Sequence, residues 1–315
     1  MRKVVITGGY GFIGSRFIQQ MYLATDFKII NIDKCTYAAD RSRVPSYIRD
    51  DEDRYVFLKL DIASSDLRKH PELDNVDYVV NFAAESHVDN SIEDGKPFMA
   101  TNIGGVFNLL EFFRRRSNLK KFVQISTDEV YGDMEEQRGK VSATEAFPLK
   151  PSSYYSASKA SADLLVKSAA RTFGIPFLIT RSCNNYGPGQ HPEKFIPKAL
   201  ECLSKKKAVP VYGNGKQVRE WIHVDDNVEI IYGLMLDDSV ENEIFNIGSG
   251  KEYTNHEILD TIEEATGRSF IRESVTDRLG HDKAYRLDCT KLGSRHFAPW
   301  AYRGMKDFFN NEIEE

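Results

Sequence analysis

Little in the chain suggests an extracellular, metal-held or membrane-bound protein. Its 315 residues include only four cysteines, Cys35, Cys183, Cys202 and Cys289, scattered without a CxxC pair or a histidine cluster. That spacing argues against a disulfide framework and a zinc site, so no metal is expected and a reducing cytoplasm suits the chain. Long apolar runs are missing too; none approaches the roughly 20 residues of a membrane span. The first strand-like run starts within three residues of Met1, which predicts no leader peptide. Neither sign of charge dominates: 42 Lys and Arg against 47 Asp and Glu give a net charge of −5, which argues against nucleic-acid binding. The densest basic stretch, Arg114, Arg115 and Arg116 with Lys120 and Lys121, follows the apolar "VFNLLEFF". It reads as the solvated end of a helix, where cations suit the dipole; a phosphate-binding patch is the alternative.

What is present is alternation. Short β-branched runs ("KVVITGG", "KIINID", "YVFLKLD", "VDYVVNFAA", "KFVQIST", "PFLITR") alternate with helical stretches at 14–24, 97–116 and 153–173. Apolar strands without period-two alternation are covered on both faces, so the pattern predicts an α/β, Rossmann-like, doubly wound parallel sheet. Residues 1–183 would form this domain. Past 183 the rhythm breaks into Gly, Pro and Asn-rich turns, and 184–315 is expected to be mainly a smaller α/β substrate-binding lobe. The stretch "EWIHVDDNVEIIYGLML", within about 220–240, should return to pack on the first domain.

"VVITGGYGFIGS" spaces Gly8, Gly11 and Gly14 as GxxGxxG between a strand and a helix. Glycines there let backbone approach a pyrophosphate that the helix N-terminus stabilises. Asp33 closes the next strand, where a carboxylate accepts from a ribose 2′-hydroxyl and repels a 2′-phosphate. NAD is therefore the expected cofactor, with Lys34 a contrary signal for NADP. Asp61 and Ile62 in "LDIAS" could flank the adenine, although Asp61 could instead cap a helix. Small Ala83 and Ala84 would permit close approach of the cofactor. "YYSASK" puts Tyr155 and Lys159 at i, i+4 on one helix face. A nearby ammonium and a positive nicotinamide would lower the phenol's pKa and make it a base. Two acids, Asp128 and Glu129, follow strand "KFVQIST" directly.

Together these motifs resemble the extended short-chain dehydrogenase/reductase family over nearly the whole chain. Epimerases and decarboxylases of that family usually carry a serine-containing triplet where this chain has Thr127-Asp128-Glu129. Thr-Asp-Glu before "VYG" looks like the nucleoside-diphosphate-hexose 4,6-dehydratases, especially those acting on dTDP-glucose. "AAESHVDNSI", "YSASKASAD", "NNYGP", "HPEKFIP" and "DRLGHD" support the same likeness. The resemblance implies that Tyr155 takes the C4 hydroxyl proton, Glu129 the C5 proton, and Asp128 protonates the departing C6 hydroxyl. Thr127 would hold the C4 oxygen. It adds Phe12, Ile13, Cys35, Thr36, Phe82, Ser86, Thr101 and Asn185 to the residues around NAD, beside Tyr155 and Lys159. For the sugar nucleotide it implies Ser86, Asn184, Lys194, Phe195 and Arg219, with Lys194 and Arg219 suiting a diphosphate. Pro210, Tyr212, Asn255, His281 and Tyr285 would complete the substrate site.

Leu279 stands where the family usually has proline and Ala284 where it often has arginine, and the chain is shorter than typical relatives. The nucleotide therefore stays open between dTDP, UDP and others. An epimerase or decarboxylase of the same fold is a second reading, which Asp128-Glu129 opposes. A non-catalytic NAD-binding regulator is a third, opposed by the intact Tyr155 and Lys159. Relatives also imply a homodimer, its 97–116 and Tyr155 helices pairing with their copies as a four-helix bundle.

Overall fold

The computed structural model describes residues 1–115, 119–135, 141–277, 281–295 and 302–312. Arg116 and Leu279 lie outside them. Seven parallel strands form the main sheet in the order β10-β6-β5-β4-β1-β2-β3. They are β1 Lys3–Thr7, β2 Lys28–Asp33, β3 Tyr55–Lys59, β4 Tyr78–Asn81, β5 Lys121–Thr127, β6 Phe177–Ser182 and β10 Glu243–Ile247. The order reverses between β1 and β4, the crevice at which doubly wound sheets bind ligands.

Burial on both faces accounts for the strands. Val4 and Ile6 of β1 enter one core with Phe17, Ile18 and Met21 of the helix Phe12–Ala24. Val5, between them, enters the opposite core with Leu109, Phe113, Ala162 and Val166. Each such large apolar side chain contributes about 1.5–3 kcal/mol by leaving water. Helices Val106–Phe113 and Tyr154–Phe173 thus cover one face, while Phe12–Ala24 and Val224–Leu236 cover the other. Arg16 locks the latter two together through a two-pronged pair with Asp225, both contacts 2.7 Å.

The second lobe contains β7 Asn184–Tyr186, β9 Val218–His223 and β11 Glu252–Thr254 in one sheet, with β8 Ala208–Tyr212 and β12 Ile271–Val275 in another. Its core gathers Ile196, Val209, Trp221, Ile258 and Phe309. Two sequence expectations change. The segment 243–247 falls within the stretch assigned to the second lobe, but it pairs with β6 because Phe245 and Ile247 are buried in the first-domain core. Lys121 is not a solvated helix end: it opens β5 and is buried, its Nζ donating to the carbonyls of Leu234, Met235 and Asp237. No helix among the described residues is long and apolar enough to cross a membrane.

Candidate active site

The crevice at the C-terminal ends of β1 and β4 is shaped by close backbone contact. A Cβ at Gly14 would lie 2.3 Å from the Gly8 carbonyl oxygen. At Gly8, whose φ is +68°, it would lie 2.8 Å from Ala83 Cα. Gly11 provides no side-chain cap to the Phe12–Ala24 helix, so the backbone N–H groups of its first turn, from Phe12 and Ile13 onward, mark an anion site. Asp33 at the end of β2 is fixed by the N–H groups of Tyr10 (2.9 Å) and Cys35 (2.7 Å). Lys34, the contrary signal, is bound to Asp61 at 2.7 Å. Asp61 does not cap the following helix, which Ser64 caps; its other oxygen accepts from Ala63 N. Ile62 is buried, while Thr36, Phe82, Ala83, Ala84 and Thr101 are half-buried around the crevice. These features fit a dinucleotide: a bare helix N-terminus for its pyrophosphate, glycines with no room for a side chain, and a held carboxylate for a ribose.

The two acids differ because of how β5 ends. Thr127 accepts from Glu129 N (3.3 Å) and so caps a 3₁₀ turn, Asp128–Tyr131, which Gly132 closes at a φ of 73°. Adjacent residues of such a turn point about a third of a circle apart. Asp128 points inward and is 2% exposed, whereas Glu129 is half-buried. Asp128 Oδ1 accepts from Thr127 (3.1 Å) and Oδ2 is buried without a partner. Burial first and the Glu129 charge second push the Asp128 carboxyl up to about 8, against the opposing Arg219 cation. Two side-by-side carboxyls are thus separated into a proton holder and a half-buried neighbour whose charge is felt at Tyr155 and Tyr285, the division that acid and base roles demand.

Tyr155 sits in the first turn of the Tyr154–Phe173 helix, whose start is set by a Ser153–Ser156 capping box. The segment before it on that face is irregular for a purpose. Residues 96–113 run as one helix with a π stretch at Met99–Gly105, and Asn102 in this stretch bonds the Glu85 backbone (2.9 and 3.0 Å) and Ser158 (2.8 Å). Asn102 thereby ties the loop after β4 to the helix bearing Tyr155 and Lys159. Tyr155 has its pKa raised, by burial, then by Glu129 and Asp128, with a Thr127 hydrogen bond opposing. One helical turn away, the Lys159 Nζ donates to the Ile125 carbonyl of β5.

The second-lobe residues form the far wall. Lys194 reaches across to donate to the Ser86 carbonyl (3.0 Å), and Phe195 beside it packs into the lobe's core. Asn184 and Asn185 lie on β7, with Asn185 held by Asn227 (2.8 Å). Arg219 is buried under the Tyr285 ring, 4.3 Å from its centroid. Its terminal nitrogens donate to the carbonyls of Val218, Asp282 and Lys283, rather than standing ready as a two-pronged diphosphate fork. Tyr285 donates to Asp282 (2.6 Å) and feels the Glu129 charge, which places it at the acids. Half-buried Pro210, then Tyr212 and His281 (rings 6.4 Å apart), form a separate group further out. Asn255 opens a helix whose next residue, His256, touches the turn after Tyr212. Ala284, at a position where arginine is common in relatives, is buried in a bridge to Val218. Sequence reasoning gave no role to Asp282, Asp163 or Arg181, although the motifs "YSASKASAD" and "DRLGHD" end on Asp163 and Asp282.

The sequence profile of the NAD dependent epimerase/dehydratase family matches residues 4–248. The chain belongs to that family. Among its members it is 43% identical over 301 residues to the low-salt glycan biosynthesis protein Agl12 of Haloferax volcanii, covering 95% of this chain and 94% of the relative. The dTDP-glucose 4,6-dehydratase of Haemophilus influenzae is 41% identical over 313 residues, covering 93% and 91%. The crystal structure of DesIV, a dTDP-glucose 4,6-dehydratase from Streptomyces venezuelae with NAD bound, superposes with a TM-score of 0.90 at 39% identity, covering 100% and 96%.

A stability consequence of the acid pair follows from Asp128. Its folded pKa lies above the ordinary carboxylate value, so the folded chain binds the proton more tightly than the unfolded one. Stability therefore falls as pH rises from about 4 to about 8 and then levels. Asp128→Asn removes this titration. Its melting temperature should exceed that of the wild type by several degrees at pH 8, on the order of 2–5 kcal/mol, with a much smaller gap near pH 5. Calorimetry across this range checks it; a constant gap would contradict the assignment of the proton to Asp128.

Proposed function

We propose that the protein is an NAD-dependent nucleotide-sugar 4,6-dehydratase, a hydro-lyase that converts dTDP-glucose to its 4-keto-6-deoxy product. The observation carrying this reading is the Asp128-Glu129 pair, one carboxyl buried and holding a proton, the other half-buried with its charge felt at Tyr155. Its dehydratase relatives share the fold over the whole chain. NAD, held by the glycine turn, Asp33, Tyr155 and Lys159, supplies a hydride acceptor for C4 and a hydride donor for C6. Tyr155 removes the C4 hydroxyl proton while Thr127 holds the oxygen. The resulting ketone acidifies the C5 hydrogen, which Glu129 takes. Asp128 gives its proton to the C6 hydroxyl, which leaves as water, and Glu129 returns a proton to C5. The sum is loss of one water with no net change in redox state. Incubation with dTDP-, UDP-, GDP- and CDP-glucose, read by mass spectrometry, tests the reading: one water should be lost, fastest from the dTDP sugar. A product of unchanged mass would favour an epimerase.

In this division of labour the first domain holds the cofactor and the second lobe the nucleotide, with Lys194 bridging them over the diphosphate. The four cysteines are free, which suits the cytoplasm. A homodimer is supported by apolar side chains left in solvent on two adjacent helices. Phe107 is 54% exposed on Val106–Phe113, and Leu164 is 57% exposed on Tyr154–Phe173. A second copy of the same face would cover them as a four-helix bundle. Light scattering at micromolar concentration should give twice the chain mass, and Phe107→Glu with Leu164→Glu should give the monomer. A wild-type monomer would refute the assembly.

A further inference from the structure

Behind the reacting groups lies a buried set of charges that the reaction scheme above does not use. Lys159 and Asp163 lie four residues apart on one face of the Tyr154–Phe173 helix, and both are buried, Asp163 completely. Asp163 Oδ2 accepts from Arg181 Nε of β6 at 2.9 Å. Asp163 Oδ1 is buried without a hydrogen-bond partner, with Ser126 of β5 near it but outside hydrogen-bonding geometry. Arg181 is held in turn by the Tyr131 hydroxyl (2.9 Å) and the Glu145 carbonyl (3.2 Å), and Tyr131 donates to Asn246 of β10 (2.7 Å). A carboxylate so deep in the sheet, beside two cations and one turn from the lysine, is costly to bury and needs a reason.

We propose, resting on the dehydratase reading, that Asp163 is a positioning residue for the reaction: its buried carboxylate, shared with Arg181, keeps the Lys159 side chain an ammonium on the Ile125 carbonyl, one helical turn from Tyr155. Every charged group that packs around Lys159 bears on this. Among the described residues Asp163 is the anion that acts on it; Asp128 and Glu129, on the turn after β5, act on Tyr155 instead. Arg181 of β6 shares Asp163, and Ile125 of β5 offers only a carbonyl. Burial pushes the Lys159 ammonium down to about 8, and the Asp163 charge opposes the fall. Without it a buried amine in this position would be neutral at physiological pH and could not stabilise a phenolate.

Asp163→Asn tests this, paired with Asp163→Asn/Arg181→Met, which removes the anion together with its Arg181 partner and so leaves no buried guanidinium unpaired if the single variant fails to fold. The readout is the titration of the Lys159 13Cε resonance in lysine-labelled protein, which needs neither substrate nor turnover. Its midpoint should fall by roughly one to two pH units in the variants, the weight of one charge at this separation in a partly screened interior. The alkaline limb of dTDP-glucose turnover should move down by the same amount, with KM within about twofold. An unmoved midpoint in folded variants would overturn the role of Asp163. A wild-type protein that removes no water from any sugar nucleotide, while the variants show the shifted midpoint, would instead sink the dehydratase reading.

Discussion

Asp128→Asn and Glu129→Gln should each carry the sugar through its first step and then stall. In the proposed scheme oxidation at C4 belongs to Tyr155, and neither acid removes that proton. Mixed with one equivalent of dTDP-glucose, both variants should therefore show the absorbance of reduced nicotinamide held on the protein, while water loss slows by roughly 10²–10⁴-fold, the usual weight of general acid–base catalysis. Asparagine matches the size of Asp128 and still hydrogen-bonds, but it cannot deliver the proton that the buried carboxyl retains up to about pH 8. The pair are then told apart at C5. Exchange of that hydrogen with deuterated solvent should be suppressed more in Glu129→Gln, which has lost the base, than in Asp128→Asn. Dehydration at the wild-type rate in both variants would show that these residues have been given the wrong task.

Tyr155→Phe should fail earlier and differently. Its ring would still meet Phe98 edge to face, 6.3 Å between centroids, so packing is kept. What disappears is the oxygen that takes the C4 proton, and almost no reduced nicotinamide should form, a loss of about 10²–10⁴-fold in the first step. The pH dependence gives a second signature. Burial and the two neighbouring acids raise the Tyr155 phenol, so less of it is ionised at neutral pH. The wild-type first step should accelerate with rising pH up to about 8, where Lys159 gives up its proton. In Tyr155→Phe the residual rate should lose that slope. Rapid-mixing absorbance across the range measures both; a variant that reduces the cofactor as fast as wild type would remove Tyr155 from the mechanism.

The strands of the first domain were legible because each is covered on both faces, which writes β1 to β6 as nearly unbroken apolar runs. β10 was not, because it follows turn-rich segments of the second lobe; its pairing with β6 reveals it. The π stretch at Met99–Gly105 could not be read from "MATNIGG" either, since its register serves Asn102's bonds to Glu85 and Ser158, which are distant in sequence. Motifs singled out the acids, the tyrosine and the lysine, which the structure places on the turn after β5 and on one helix. They could not show that a 3₁₀ turn buries Asp128 while leaving Glu129 half-buried, nor that Lys159 rests on Ile125. Spacing reports which residues share an element, whereas protonation depends on what the rest of the fold brings beside them. Arg219 teaches the same lesson: an arginine suited to a diphosphate is here occupied by three carbonyls and a tyrosine ring.

The internal nature of the redox cycle can be read in a single labelled turnover. Given dTDP-glucose carrying deuterium at C4, the wild-type protein should release a product lighter by one water, with the deuterium found at C6 and no cofactor reduced in solution. That outcome requires one site to oxidise C4, expel the C6 hydroxyl and return the same hydrogen. A product with the deuterium still at C4 or lost to free reduced cofactor, or one that has kept its water, would contradict the dehydratase mechanism.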